Sequence, residues 1–144
     1  MNMKTNKDIL GSLLKTTQMG QTGIRSVMKM GPGEQLQQAL EDQLREYNAI
    51  EAEALQIASN RGWSLPHLPG YAKVMADAMS RAKLLPNRTD SAMAAMMIRG
   101  SMRGVIKGLK NEHRYQDRDP GIEALSGRLL QCENENVRQM ERFL

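Results

Sequence analysis

Three glycines, Gly100, Gly104 and Gly108, recur every four residues inside a stretch that otherwise has the apolar spacing of a helix. Each glycine costs roughly 1 kcal/mol relative to alanine in a helix interior. Spacing by four residues places all three on one helix face, with Met93 and Met97. The pattern predicts helix-packing glycines that let the backbone of a neighbouring helix approach closely. A second, more apolar seam predicts that the helix is buried along a wide arc; its members are Ile98, Met102, Val105 and Leu109.

The apolar residues are of an unusual kind. The chain has 144 residues, with twelve Met but only one Phe, one Trp and three Tyr. Methionine can replace aromatic residues in filling gaps between helices. Alternating runs of β-branched and aromatic residues, which predict strands, are nearly absent. We therefore expect one all-α domain over residues 1–144.

Charge and cysteine content suggest where the protein works. The formal net charge is +4, with cations and anions mixed along the chain. The single Cys132 cannot form an internal disulfide and fits a reducing cytoplasm. The first eight residues are polar, unlike a signal peptide, and no apolar run approaches the ~20 residues that span a bilayer. These features predict a cytoplasmic protein with no membrane segment.

Capping and breaking residues predict four long helices. Thr5 and Asp8 form a weak capping box before the first helix, Gly31-Pro32-Gly33 ends that helix, and Asp119-Pro120 starts the last one. The predicted helices cover residues 5–29, 34–60, 90–115 and 119 onward, with a short helix over 71–85.

The lengths of the connections predict the topology. The first and second helices, and the third and fourth, are joined by short links and should form antiparallel hairpins. About thirty residues join the hairpins, enough to cross a bundle of helices that are ~37 Å long.

The chain resembles the ferritin-like superfamily, and in particular its small uncharacterised bacterial single-domain members. The local similarity lies in Ser91-Ala-Met-Ala-Ala-Met-Met-Ile-Arg-Gly-Ser-Met-Arg-Gly-Val-Ile-Lys107, followed by a last helix rich in Glu and Asn. The resemblance implies a ferritin-like four-helix bundle, that is, two antiparallel hairpins joined by a long crossover. It implies little chemistry.

The metal site typical of that superfamily is not encoded. A di-iron site needs four inward carboxylates and two histidines, and two of these carboxylates belong to Glu-x-x-His pairs. This sequence has no Glu-x-x-His. Of the two carboxylates at inward positions, Glu51 and Glu133, neither has a histidine partner. We therefore predict no metal and no cofactor, with these two residues as weak candidates for a single ion. The predicted interior polar layer consists of Gln21, Tyr47, Glu51, Glu133 and Asn136.

The third helix also carries a basic stripe, Arg99, Arg103, Lys107, Lys110 and Arg114. Such a stripe is typical of a solvated face or of pairing with acidic residues, and alternatively of a site for an anion. Aromatic residues that would stack on bases are missing, so nucleic acid is an unlikely partner.

No catalytic motif stands out. The sequence favours a non-enzymatic structural or protein-interaction role, either as a homo-oligomer (preferably a dimer) or bound to another protein. The alternatives are a divergent metal-binding bundle using Glu51 and Glu133, and weak binding of anions or nucleic acid through the basic stripe.

Overall fold

The computed structural model describes residues 2–65, 76, 77, 80 and 88–144 and contains four long helices. They are α1 (Asn6–Met28), α2 (Glu34–Asn60), α3 (Asp90–Arg114) and α4 (Pro120–Glu141). No strand occurs in the described ranges, where Lys4 and Tyr115 form an isolated bridge. The all-α prediction is confirmed. The short helix predicted over 71–85 lies outside the described residues, apart from helical positions 76, 77 and 80.

Local side-chain caps fix the starts of the helices. Thr5 Oγ1 accepts a hydrogen bond from the Asp8 amide at 3.2 Å, and the Asp8 carboxylate accepts one from the Thr5 amide at 3.0 Å. Thr89 caps α3 by accepting from the Ala92 amide at 3.1 Å. Asp119 caps α4 just before Pro120. These caps confirm the predicted starts of α1, α3 and α4. The starts were predictable because capping depends on nearby residues.

The helices form a four-cornered bundle. Each hairpin packs on itself, α1 also lies beside α3, α2 lies beside α4, and α1 meets α4 across the diagonal. The Lys4 amide donates to the Arg114 carbonyl at 2.7 Å, so the start of α1 lies beside the end of α3. Arg61, at the end of α2, forms an ion pair with Asp119, at the start of α4. Adjacent helices are therefore antiparallel.

The two ends of the α2–α3 connection lie at opposite ends of this bundle. The end of α2 is next to the start of α4, as the Arg61–Asp119 pair shows. The start of α3 is next to the start of α2, because the Gly33 amide donates to Asp90 Oδ1 at 3.0 Å. The chain between these points therefore runs from one end of the bundle to the other.

The hydrophobic core is drawn from all four helices. The inner faces of α1, α2 and α4 are buried, and Met28 and Phe143 are half-buried against the core. The largest completely buried side chains are Ile9, Leu10, Leu14, Ile24, Leu36, Leu40, Ile50, Met93, Ile122, Leu125 and Met140. Within the described ranges, no helix is both long and apolar enough to span a bilayer.

The predicted wide buried arc of α3 is wrong. Of the second seam, Val105 is buried and Ile98 is half-buried. Three large apolar residues of α3 are exposed: Met102 at 41%, Ile106 at 50% and Leu109 at 46%. We call these three residues the α3 apolar stripe. They point outward because α3 occupies a corner of the bundle, where α1 and α4 pack against its other faces.

Candidate functional site

The glycines of α3 do not pack against a neighbouring backbone. A Cβ atom added at Gly104 would lie 2.8 Å from the carboxyl carbon of Glu133, and one added at Gly108 would lie 3.3 Å from Leu130 Cδ1. At Gly100, it would meet no described atom within 4 Å. In the described part of the chain, the predicted close approach of helix backbones is therefore not seen: Gly104 and Gly108 make room for side chains of α4, and Gly100 has no described neighbour there.

A glycine of α1, which the sequence analysis missed, has the same role. A Cβ atom added at Gly20 would lie 2.6 Å from Cζ of Tyr47. Gly20 and Gly104 thus leave room for the Tyr47 ring and the Glu133 carboxyl group. The signal that could have revealed Gly20 is a glycine in a helix interior opposite a predicted buried tyrosine.

Three of the five predicted interior polar residues are brought together. The Tyr47 hydroxyl donates to Glu133 Oε1 at 2.7 Å, and Asn136 Nδ2 donates to the Tyr47 hydroxyl at 3.2 Å. The Ser101 hydroxyl also hydrogen-bonds to the Glu133 carboxyl group. These side chains are all buried. They form a connected polar cluster between α2, α3 and α4.

The other two residues lie elsewhere, so a single polar layer is not formed. Gln21 Nε2 contacts Asn48 Oδ1 at 2.9 Å and Glu51 Oε1 at 3.3 Å. Gln18 Nε2 contacts the other Glu51 oxygen at 3.3 Å. Glu51 lies one helical turn beyond Tyr47, and its half-buried carboxylate bonds to α1 instead of the Tyr47 cluster.

Burial shifts the ionisable groups in and beside this cluster toward their neutral forms. It raises the pKa of Glu133 to about 7, although the hydrogen bonds from Tyr47 and Ser101 act in the opposite direction. Burial also raises the pKa of Tyr47 well above its ordinary value, and that of Cys132 to about 12. Cys132 is therefore a buried, protonated thiol with little nucleophilic character.

The structure does not assemble the weak metal candidate. Glu51 and Glu133 have different hydrogen-bond partners and belong to separate clusters. Among the described residues, no group of three or more His, Cys, Asp or Glu side chains could hold a metal ion.

A groove runs between α1 and α3, and we call it the α1–α3 groove. It has a volume of about 960 Å³, and Tyr47 and Glu133 line it together with both helices. Cβ atoms added at Gly11, Gly23 and Gly100 would meet no described atom within 4 Å. Its lining from the two helices includes Lys4, Lys7, Gly11, Ser12, Lys15, Met19, Gly20, Thr22, Gly23 and Ser26 of α1, and Met96, Met97, Gly100, Ser101, Arg103, Gly104 and Lys107 of α3.

The groove divides the predicted basic stripe. Arg103 and Lys107 line it, whereas Arg99, Lys110 and Arg114 are not among its lining residues. None of the five forms an ion pair with a described residue, so the alternative of intramolecular pairing with acidic residues is not seen. Three further cations line the groove: Lys4, Lys7 and Lys15. The sequence analysis missed them, although their spacing along the chain was an available signal.

Comparison with known proteins found no matching family model, no matching curated protein and no matching solved structure. Membership of the ferritin-like superfamily therefore stays a prediction from the sequence.

Proposed function

We propose that this protein is a non-enzymatic, ferritin-like helical bundle that acts by binding another molecule in the α1–α3 groove. Two hairpins joined by a connection between opposite bundle ends support the ferritin-like topology. The non-enzymatic role is supported by Tyr47, Glu133 and Asn136, which satisfy one another through hydrogen bonds. Such a cluster stabilises a bundle interior.

The open space beside three helix-interior glycines is the observation that carries this proposal. Gly11, Gly23 and Gly100 each weaken a helix, yet no described atom packs into the space left by their missing side chains. That space belongs to a groove of about 960 Å³, close to the upper end of the size range of ligand pockets. Larger residues at these positions would strengthen the helices and close the groove.

The test uses the neutral dye Nile red, whose fluorescence rises in apolar surroundings, and two leucine variants. Gly100→Leu fills the groove. Gly127→Leu is the matched control, because Gly127 of α4 also has no described atom near an added Cβ and does not line the groove. Both variants should fold and be more stable than the parent protein, since each removes an interior helix glycine.

We expect Nile red to bind the parent protein and Gly127→Leu equally, and Gly100→Leu at least ten-fold more weakly. Equal binding to all three proteins would show that the groove is not the binding surface.

Self-association is a second proposal, and the α3 apolar stripe favours it. Met102, Ile106 and Leu109 lie at helical spacing and are each at least 41% exposed. We propose that they form the centre of a contact with a second copy. The exposed cations Arg99 and Lys110 lie on the same helix, and α2 exposes acidic residues such as Glu34 that a second copy can present to them. A specific dimer buries roughly 800 Å² on each partner, so the contact must extend beyond the stripe.

Sedimentation velocity over a range of concentrations tests the dimer. Ile106→Glu should yield monomers, because it places a charge in the contact. Leu55→Glu, at an exposed leucine of α2, should leave the dimer intact. A monomeric parent protein, or equal dissociation of both variants, would contradict this proposal.

A further inference from the structure

The α1–α3 groove has a strongly basic end. Lys4, which precedes α1, and Lys7 and Lys15 of α1 line it together with Arg103 and Lys107 of α3. From Lys7 to Lys15, the helix rises by ~12 Å. Five cations exceed what one carboxylate requires, so they suit a molecule with several negative charges.

Acidic residues near the groove offset only part of this charge. Asp8 lines the groove, and its carboxylate, which accepts the Thr5 amide hydrogen bond that caps α1, keeps its negative charge near Lys4 and Lys7. Asp77 also lines it, beyond the end of α2. Glu133 lies buried among the hydroxyls of Tyr47 and Ser101. The excess of positive charge is therefore available to a ligand.

The other half of the groove is apolar. Met96 and Met97 of α3 line it. Met19 of α1 and Leu65, just beyond the end of α2, add apolar surface nearer the basic end. Ser26 lines the apolar half and is buried. Flexible methionine side chains can adapt to an aliphatic chain.

One unsatisfied polar group lies between the two halves. Thr22 lines the groove and is completely buried, at 0% exposure, and its hydroxyl has no hydrogen-bond partner among the described residues. A buried hydroxyl without a partner is unfavourable unless a bound molecule or a water supplies one. Thr22 lies seven residues beyond Lys15, about 10 Å deeper along α1.

From these observations, we propose that the α1–α3 groove binds an acyl chain joined through its carbonyl group to a phosphate-bearing carrier. The phosphates lie at the basic end, on Lys7, Lys15 and Lys107. The carbonyl oxygen accepts a hydrogen bond from Thr22, and the chain lies against Met96 and Met97. This inference rests on the proposed function, because it names the ligand class of the same groove.

The first experiment measures binding by the fluorescence of Trp63, the only tryptophan of the chain, which lies two residues before Leu65. The probe is octanoyl-coenzyme A, compared with coenzyme A, octanoate and octyltrimethylammonium. We expect octanoyl-coenzyme A to bind at least ten-fold more tightly than each of the other three. Equal binding of coenzyme A would overturn the role of the apolar half, and equal binding of the cationic amphiphile would overturn the role of the basic end.

Lysophosphatidate serves as a second phosphate-bearing acyl compound. Binding as tight as that of octanoyl-coenzyme A would show that acyl chain and phosphate suffice, as the proposal requires. Tight binding of octanoate instead would overturn the need for phosphate.

Charge reversal tests the basic end with a control on the same helix. Arg103→Glu combined with Lys107→Glu should weaken octanoyl-coenzyme A binding at least ten-fold. The control, Arg99→Glu with Lys110→Glu, makes the same change in net charge outside the groove lining. If both double variants lose octanoyl-coenzyme A binding equally, general electrostatic attraction explains the loss. That result would overturn the proposed site.

Thr22→Val tests the carbonyl contact with a variant that should fold at least as well, because it removes an unsatisfied hydroxyl. The parent protein should prefer octanoyl-coenzyme A to S-octyl-coenzyme A, its analogue without the carbonyl oxygen, by about 3- to 10-fold. Thr22→Val should bind both equally. A preference that survives in Thr22→Val would refute the assignment of Thr22. Nile red binding that is sensitive to Gly100→Leu would still uphold the proposed function if the acyl compounds fail.

Discussion

At the scale of single residues, Glu133 is the most unusual side chain, because it is a carboxyl group with only 2% exposure. Two hydroxyls, from Tyr47 and Ser101, hydrogen-bond to it, but no cation pairs with it in the described part of the chain. The space for the carboxyl group exists because position 104 is glycine. Burial thus favours the protonated form of Glu133, which avoids the cost of burying a charge, while the two hydroxyls stabilise the charged form.

This burial predicts a pH dependence of stability. The pKa of Glu133 rises from 4.5 to about 7 on folding, so the folded state binds more protons between these values. Its stabilising contribution is present below about pH 4.5 and is lost as the pH rises through 7. The difference amounts to roughly 2 to 4 kcal/mol. Glu133→Gln, which is neutral at every pH, should therefore unfold at a higher urea concentration than the parent protein at pH 8, with a smaller difference at pH 5.

Glu135→Gln is the control for this comparison, because Glu135 is exposed on the same helix. It should leave the pH dependence of the urea midpoint unchanged. If Glu133→Gln has the same pH profile as the parent protein, the carboxyl group is already charged and hydrated in the fold.

Periodicity predicted the inward positions of Tyr47, Glu133 and Asn136 correctly, because it reports which face of a helix turns toward the core. It could not show that Glu51 bonds to α1 instead. That choice depends on the neighbours that tertiary packing brings to each side chain. The unsatisfied Thr22 hydroxyl was invisible in the sequence for the same reason.

At the scale of helices, the sequence predicted where each helix begins and ends, but not which side chains of different helices contact each other. Thr5, Thr89 and Asp119 set helix starts through bonds to residues two or three positions away. Close approach of helices depends on partners that are distant in sequence. Glycine spacing in α3 was therefore a poor guide, whereas Gly20 of α1 marks the place where the Tyr47 ring of α2 fits against α1.

Gly20→Ala should destabilise the protein by about 1 to 3 kcal/mol, although alanine favours helices. The added Cβ would lie 2.6 Å from Cζ of Tyr47, and the ring is held by hydrogen bonds to Glu133 and Asn136. Gly23→Ala on the same helix, where no described atom lies within 4 Å, should stabilise by about 0.5 to 1 kcal/mol. Urea unfolding of both variants measures the difference. Stabilisation by Gly20→Ala would show that the ring moves freely.

At the scale of the whole molecule, the order of the hairpins is what the sequence predicted best. Short links demand antiparallel pairs, and those pairs are seen. The α1–α3 groove was not predicted, because its two walls lie about eighty residues apart in the chain and contribute small residues and cations that separately resemble ordinary helix surface. Only the bundle shows that Lys15 and Lys107 line the same space.

The bundle should hold no di-iron or di-manganese centre. Such a centre balances two divalent cations with carboxylates from all four helices, but α3 has no acidic residue between Asp90 and Glu112. Glu51 is engaged by amides of α1, and Glu133 by the Tyr47 hydroxyl, so neither faces the other as a bridging ligand. Two ions would keep most of their charge uncompensated at this depth.

Elemental analysis after purification without chelator measures the metal directly, and we expect well below one tightly held iron or manganese per chain. Ferrous iron added in the presence of oxygen should oxidise at the same rate with the parent protein and with Glu133→Gln. A ratio of two metals per chain that falls in both Glu51→Gln and Glu133→Gln would contradict the separation of the two carboxylates. It would require the side chains of α2 and α4 to rearrange toward each other, and the Tyr47–Glu133 hydrogen bond would then have to break.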